Sequence, residues 1–145
     1  MSATPDQVNE NKQLVRDFAD VWASGDVDTL TELVSDDCEI ELSGMEPLEG
    51  REAVAGTIEY YRSAFPDMDV DIHQLVGEEN TVVKHYTSSG THDGEFMGIE
   101  PTGNEIETPG ISVYHCDDGK IVKATIIADS LVMFDQLGVS ELPTG

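Results

Sequence analysis

Four strand-like stretches follow one another in the second half of the chain, at residues 68–76, 81–92, 105–116 and 120–129. Short turn sequences, Gly77-Glu78-Glu79-Asn80 and Asp117-Asp118-Gly119, separate the first pair and the last pair. Connections this short join antiparallel neighbours, because a parallel crossover needs a dozen residues or more. Pro109-Gly110 interrupts the third stretch and predicts a bulge that bends the sheet. The pattern therefore predicts a strongly curved antiparallel sheet.

Helical patterns fill most of the first half. Thr4-Pro5-Asp6-Gln7 is typical of a helix start, with a threonine cap, proline at the first helical position and glutamine for a capping box. Ser24-Gly25-Asp26 ends this helix and begins a second, short one that carries Leu30, Leu33 and Val34.

The rest of the chain completes the fold class. An alternating strand at residues 38–42 and a loop at 43–50 precede a third helix, which begins at Arg51 and ends at Pro66. A short helix at 131–137 follows the strands. This order predicts one domain over residues 1–145, an α+β cone with helices on one side of the sheet. The concave interior of such a cone is a natural cavity for a small molecule.

Acidic residues dominate the charge of the chain. Thirty Asp and Glu face seven Lys and Arg, for a net charge of −23. The acids are dispersed over nearly every predicted element, which favours adaptation to a salt-rich cytoplasm, as in halophilic microbes, over one acidic patch for a basic partner. Nucleic acid and anionic membranes are not expected partners, because phosphate binding needs clustered Lys and Arg.

Cysteine usage and the N-terminal sequence indicate the compartment. Cys38 and Cys116 are isolated and form no C-x-x-C pair, which is typical of two reduced, buried thiols. Residues 1–10 lack a basic segment followed by an apolar one, and no stretch reaches the ~20 apolar residues of a membrane span. We therefore expect a soluble, cytoplasmic protein.

Motifs for metals and organic cofactors are also missing from the sequence. The histidines at positions 73, 85, 92 and 115 form neither an H-x-H nor an H-E-x-x-H pattern. There is no G-x-S-x-G elbow, P-loop or dinucleotide fingerprint. We predict neither a metal nor a cofactor.

Asp129 is the only charged residue in the apolar run 126–132, at a predicted strand-to-helix junction. One interpretation is a helix N-cap, whose carboxylate accepts backbone N–H bonds. The other is an acid/base group, because burial among apolar side chains raises a carboxyl pKa toward neutrality. By strand alternation Asp129 faces the same side as Thr125 and Ile127, so the second interpretation requires that side to be the cavity.

Several separated motifs together resemble one family. They are G-T-H-x-G-E-F-x-G-I-x-P-T-G at residues 90–103, Tyr61-Arg62-Ser63-Ala64-Phe65-Pro66-Asp67, Asp118-Gly119-Lys120-Ile121, and Asp129 followed by Gln136-Leu137-Gly138. In order and spacing they resemble the SnoaL-like polyketide cyclases of the NTF2-like superfamily, from about Asn11 to Gly138. The resemblance implies a curved, mixed or antiparallel sheet with three helices in the first half and a short C-terminal helix.

The resemblance also implies a reaction. Asp129 occupies the position of the acid/base aspartate of the family's cyclases, and His92 in the Gly-Thr-His run is a candidate polar partner. The implied step removes a proton next to a carbonyl of a small hydrophobic substrate. The resulting enolate needs a hydrogen-bond donor, for which His92, Tyr86 and Tyr114 are candidates.

The predicted substrate contacts are mostly aromatic. They are Trp22, Tyr61, Phe65, Tyr86, Phe96, Met97, Tyr114, Thr125 and Ile127. Relatives commonly have tryptophan at the position of Thr125 and a bulky or polar residue at that of Ile127, so the family's polyketide substrate does not carry over.

Two other functions remain open, because one fold hosts many. One is a non-catalytic module that binds a small molecule. The other is an epoxide-hydrolase-like reaction, which needs a water held between two carboxylates and an arginine. The resemblance further implies a homodimer formed through the outer face of the sheet.

The net charge of −23 generates a testable prediction. In dilute buffer, self-repulsion should cause dissociation or partial unfolding, whereas at ~1 M salt the Debye length shrinks to about 3 Å and the repulsion is screened. Thermal unfolding and sedimentation across a salt series measure this. A melting midpoint that does not respond to salt would contradict the prediction.

Overall fold

The computed structural model describes residues 4–43 and 45–139. Within them the helices are α1 (Pro5–Ser24), α2 (Leu30–Leu33), α3 (Arg51–Ala64) and α4 (Ser130–Gln136). The strands are β1 (Val34–Leu42), β2 (Leu48–Glu49), β3 (Asp69–Glu78), β4 (Thr81–Thr91), β5 (Glu105–Asp117) and β6 (Lys120–Ala128). A short 3-10 turn, Val27–Thr29, leads into α2.

The six strands form one sheet in the order β2-β1-β6-β5-β4-β3. All neighbours are antiparallel except β1 and β6, which are parallel. The predicted meander accounts for β3 to β6, and β1 joins it from the first half of the chain. The α+β cone with a curved, mixed sheet is thus confirmed.

The first helix begins and ends as its sequence predicts. Thr4 Oγ1 accepts a hydrogen bond from the Gln7 N–H at 3.1 Å, and Gln7 Oε1 accepts one from the Thr4 N–H at 2.8 Å. At the other end Gly25 adopts φ +78°, a left-handed conformation that glycine enters without steric cost. Between these caps Val15, Phe18 and Val21 are buried, so α1 lays one apolar stripe on the sheet.

Two predictions about the first half were wrong. Val34 does not continue the second helix but is the first residue of β1. It pairs with Ile121 of β6, and the register of β1 with β6 shifts between Val34 and Glu39. The predicted loop at 43–50 contains the short strand β2, which pairs antiparallel with β1. Both features depend on partners distant in sequence, which local periodicity does not report.

The bulge predicted at Pro109-Gly110 was also wrong. The β4–β5 register is unbroken there, with Thr87 opposite Pro109 and Tyr86 opposite Gly110. The Pro109 carbonyl accepts a hydrogen bond from the Asp129 N–H at 3.0 Å, beyond the last β5–β6 pair. The backbone N and O of one strand residue point to the same side of the strand. The Pro109 nitrogen, which has no hydrogen to donate, therefore also points away from β4 and toward Asp129, so the pairing of β5 with β4 is not interrupted.

Glycine at position 110 has a different reason. A Cβ there would lie 2.5 Å from the ring of Tyr86. The Tyr86 side chain therefore lies across the glycine, in space that any other residue would fill.

The core lies between the helices and the concave face of the sheet. Its main cluster joins Phe18, Ile40, Ile58 and Tyr114, and a second cluster joins Phe65, Phe96 and Phe134 near the far end of α3. Cys38 and Cys116 are both buried and unpaired, as predicted. No helix in the described ranges is long and apolar enough to cross a membrane.

Candidate functional site

The concave face of the sheet and the helices over it enclose a cavity of about 100 Å³. Its wall is mostly apolar, and the apolar lining residues are Trp22, Leu42, Tyr61, Phe65, Met68, Val70, Ile106, Ile126, Ala128 and Met133. The polar lining residues are Ser43, Lys84, Tyr86, Ser88, Ser89, Thr108, Tyr114 and Ser130. An apolar pocket with a few convergent polar groups is the usual form of a small-molecule site.

Strand alternation places the polar groups. Along β4, Val82, Lys84 and Tyr86 point inward. The opposing residues of β5 include Ser112, paired with Lys84, and Tyr114, paired with Val82. Polar residues of β4 and β5 therefore meet at one place inside the cone.

Lys84 lies at the centre of this polar group. The residue is only 4% exposed. Its Nζ is 4.4 Å from the centre of the Tyr86 ring and 5.4 Å from that of Tyr114, which is the range of cation–π contacts. None of the described residues that line the cavity is an aspartate or a glutamate. The ammonium therefore has aromatic faces but no counter-ion among the described lining residues.

Burial changes the acid–base properties of this group. Desolvation lowers the pKa of Lys84 to about 8, with Tyr86 opposing the change. Burial raises the pKa of Tyr61 to about 12 and also raises the pKa of Tyr86 and Tyr114. At neutral pH the phenols are therefore protonated donors, while a fraction of the Lys84 amines is neutral.

Several hydroxyl groups of β5 make no well-aligned hydrogen bond with the described residues. The Tyr114, Thr108 and Ser112 hydroxyl oxygens are buried and make no hydrogen bond with the described residues. The Ser112 hydroxyl is nevertheless within hydrogen-bonding reach of the Tyr86 and Tyr114 phenols, without the alignment of a good hydrogen bond, and this proximity opposes part of the rise in their pKa. Buried polar groups without partners cost free energy, so these hydroxyls are available to a ligand or water.

Asp129 is the N-cap of α4, one of the two interpretations of the sequence. Its Oδ1 accepts a hydrogen bond from the Val132 N–H at 3.1 Å, and the residue is exposed. The cavity-lining residues of this segment are Ile126, Ala128 and Ser130. Asp129 has the opposite parity and lies outside the lining.

Thr125 and Ile127 were expected to face the cavity, and this prediction was wrong, because the inward residues of this segment are the even-numbered ones. Neither residue lines the cavity, and Ile127 is 59% exposed on the outer face beside Ile111, which is 53% exposed. In the run Ile126-Ile127-Ala128 the residues on both faces of the strand are apolar, so the sequence pattern alone does not show which face points inward.

His92 is fully buried but does not line the cavity. Its Nδ1 accepts a hydrogen bond from the Thr102 N–H at 3.2 Å and lies 3.0 Å from the Thr102 hydroxyl. With Nδ1 as acceptor, the proton of the neutral ring is on Nε2, which has no partner among the described residues. The ring packs against Phe65 at 5.6 Å. His92 therefore fixes the loop after β4 and supports the cavity wall through Phe65.

Phe96 and Met97 do not line the cavity either. Phe96 is fully buried behind the wall, with its ring 5.2 Å from both Tyr61 and Phe65. Met97 is 39% exposed, and its N–H donates to the Tyr60 hydroxyl at 2.7 Å. Both residues therefore anchor the loop instead of contacting a ligand in the cavity, contrary to the expectation from the sequence.

Five residues of the predicted set do line the cavity: Trp22, Tyr61, Phe65, Tyr86 and Tyr114. Lys84 was missed, although its sequence context carried a signal. In Val82-Val83-Lys84-His85-Tyr86, the lysine shares its parity with Val82 and Tyr86 rather than with His85. A charged residue on the apolar face of a strand indicates a buried charge.

No group of three His, Cys, Asp or Glu side chains in the described ranges is placed to hold a metal ion.

Comparison with known proteins establishes the family. The sequence profile described as SnoaL-like polyketide cyclase matches residues 12–137, so the chain belongs to this family. Comparison with curated proteins gave no match.

Solved structures agree in fold. IdmH of Streptomyces antibioticus, provisionally described as a polyketide cyclase, is 31% identical over 89% of this chain and 99% of its own, with a TM-score of 0.78. A SnoaL-like protein of Jannaschia sp. CCS1 is 19% identical over 97% and 99%, with a TM-score of 0.86. An LEH-like epoxide hydrolase of M. tuberculosis is 20% identical over 90% of each chain, with a TM-score of 0.73. The last two likenesses concern the fold alone.

The capping contact of Asp129 predicts the outcome of two substitutions. Asp129→Ala should lower the free energy of unfolding by about 1 kcal/mol, whereas Asp129→Asn, which still caps, should change it by less than about 0.5 kcal/mol. Denaturant unfolding in high salt measures both. A loss of turnover in Asp129→Asn at unchanged stability would instead favour the general-base interpretation.

The buried amine of Lys84 predicts a pH-dependent stability. Its folded pKa of about 8 lies below the ordinary lysine value, so between these two values the unfolded chain binds more protons and stability rises with pH. Lys84→Met should therefore stabilise the protein at pH 7, by up to about 3 kcal/mol, and by progressively less as the pH rises above 8. Urea unfolding at pH 7, 8 and 9 measures the difference, with Lys123→Met, at an exposed lysine of β6, as the matched control. A constant difference across this range would contradict the lowered pKa.

Proposed function

We propose that this chain is a cofactor-independent enzyme of the cyclase or isomerase type, which removes a proton next to the carbonyl of a small hydrophobic substrate. The observation that carries the proposal is the 4% exposed Lys84, which lies in an apolar cavity beside two phenols and has no carboxylate partner among the described lining residues. Membership of the SnoaL-like polyketide cyclase family supports the reaction class.

Lys84 is the proposed proton acceptor. Among the described lining residues it is the only basic group, and Tyr61, Tyr86 and Tyr114 are the only others that titrate. Its pKa of about 8 places the neutral amine within reach at physiological pH, and general bases work best when their pKa lies near the working pH. In this proposal the amine replaces the carboxylate of Asp129, which is engaged as a cap.

Hydroxyl groups of the cavity wall are the proposed donors to the substrate oxygen. Tyr114 and Thr108 line the cavity, and their hydroxyls have no partner among the described residues. Donors already in place before the reaction stabilise an enolate in a dry site, because they need not reorganise as the charge develops. His92, the donor implied by the family resemblance, lies outside the lining.

A non-catalytic binding module is the second candidate. The observation that favours it is the absence of any carboxylate or imidazole among the described lining residues, together with the capping role of Asp129. An epoxide-hydrolase-like reaction has less support. Arg51 donates to the Val34 carbonyl and Arg62 to the Trp22 and Pro66 carbonyls, so both guanidinium groups are used in holding backbone.

We also propose that the chain forms a homodimer through the outer face of the sheet. Ile111 and Ile127 are paired neighbours there and are more than half exposed. On a chain with a net charge of −23, an exposed aliphatic pair in the middle of a sheet is a feature that a second copy would cover.

The proposed reaction can be tested without knowing the natural substrate. Cyclohexanone in D₂O exchanges its α-hydrogens when a proton is removed next to the carbonyl, and NMR follows the loss of signal. We expect the wild-type protein to accelerate this exchange and Lys84→Met to lose at least tenfold of the acceleration, since the base is removed. The rate should rise with pH through about 8 as the amine is deprotonated.

Two controls define the outcome. Lys123→Met removes one positive charge at an exposed site, as Lys84→Met does in the cavity, and should accelerate the exchange of cyclohexanone as much as the wild type does. Trp22 is the single tryptophan of the chain and lines the cavity, so its fluorescence reports binding independently of exchange. Binding without acceleration would select the non-catalytic module, and equal acceleration by Lys84→Met would refute the role of Lys84.

A further inference from the structure

We propose that the Lys84 amine forms a reversible Schiff base with aldehydes or ketones that enter the cavity. The inference rests on the proposed function only for the ligand class, a small carbonyl compound. It adds a covalent step to a site that is otherwise described by proton transfer and hydrogen bonding.

The position of Lys84 is what makes the amine available. Its Nζ lies in the cavity wall beside the Tyr86 and Tyr114 rings, and no carboxylate among the described lining residues pairs with it. A buried ammonium that lacks a counter-ion is costly, so the neutral form is favoured over what water would allow. A lysine desolvated in an apolar pocket is a recognised route to an amine nucleophile.

None of the other three lysines, at positions 12, 120 and 123, lines this cavity. Lys123 is exposed on β6, and the Lys120 Nζ donates to the Thr31 carbonyl at 2.6 Å. With a pKa of about 8, roughly one Lys84 side chain in ten is neutral at pH 7, against fewer than about one in a thousand for a lysine with the ordinary pKa. Together with the position of Lys84 in the cavity wall, this difference leads us to expect faster reaction there than at Lys123.

The step balances without a co-reactant. The Nζ lone pair attacks the carbonyl carbon, the N–C bond forms, and the carbonyl oxygen takes up a proton from the nitrogen to give a carbinolamine. The C–O bond then breaks, water leaves, and a C=N bond remains, so amine plus carbonyl give imine plus water. Neither oxidation nor reduction occurs, and addition of water reverses the step.

The surrounding groups suit both halves of this step. The buried Tyr114 phenol, whose ring centre lies 5.4 Å from the Lys84 Nζ, can donate to the oxygen as it becomes charged, and Thr108 adds a second buried hydroxyl to the same cavity wall. A protonated imine withdraws electrons from the neighbouring carbon more strongly than a carbonyl does. In the adduct, however, the Lys84 nitrogen is bonded to the substrate carbon and is no longer a free base, so covalent capture and proton removal by the amine are alternative uses of the same side chain.

Reductive trapping tests the inference. The protein is incubated with benzaldehyde and sodium cyanoborohydride at pH 7, and peptide mass spectrometry locates the benzylated amines. We expect Lys84 to be labelled at least tenfold faster than Lys123. Lys84→Arg and Lys84→Met should both lose this label, whereas Lys123→Met should retain it at Lys84. Melting curves of the variants in high salt establish that each is folded.

The outcome separates the two proposals, because benzaldehyde has no α-hydrogen and its capture needs no proton removal from carbon. Fast labelling of Lys84 without ketone exchange would support the Schiff base and refute the proposed enolisation. Exchange by the wild type with Lys84 labelled no faster than Lys123 would overturn the Schiff base and leave the amine as a base. Slow labelling without exchange would remove both.

Discussion

The uninterrupted antiparallel pairing of β4 with β5 is the constraint on which the site depends. From Thr81 opposite His115 to Thr91 opposite Glu105 the register does not shift, so every second side chain of both strands points into the cone. This places Lys84 opposite Ser112 and Tyr86 opposite Gly110. Because position 110 has no side chain, the Tyr86 ring can lie across the strand, next to the Lys84 amine. A slip of one residue would turn the whole set outward.

The charges of this molecule are divided between its surface and its interior. Thirty acidic residues give a net charge of −23, and those on the described ranges lie outside the cavity lining. Among the described residues that line the cavity, one is basic, Lys84, which shares its strand face with Val82 and Tyr86. Such a residue lowers stability, because burial opposes its charged form. Local departures from the hydrophobic pattern of this kind are common at functional sites, where stability is traded for reactivity.

The family fold is kept here while the position of the polar centre differs from expectation. The resemblance to the cyclases drew attention to Asp129 and His92, and the structure uses one as a helix cap and the other to hold a loop against Phe65. The cone positions a cavity, but the residues on its inner strands decide what that cavity can do.

The sequence by itself determined the elements whose signals are local. The Thr4–Gln7 capping box, the Gly25 stop, the turns between β3 and β4 and between β5 and β6, and the family motifs are all visible without coordinates. Only the tertiary structure decided the parallel pairing of β1 with β6, the short β2, and the regular pairing at Pro109. It also decided which side of β6 faces the cavity. Residues 126–128 are apolar on both faces of β6. The face of β6 that points inward is therefore fixed by its packing with neighbouring strands and helices and not by the local sequence pattern.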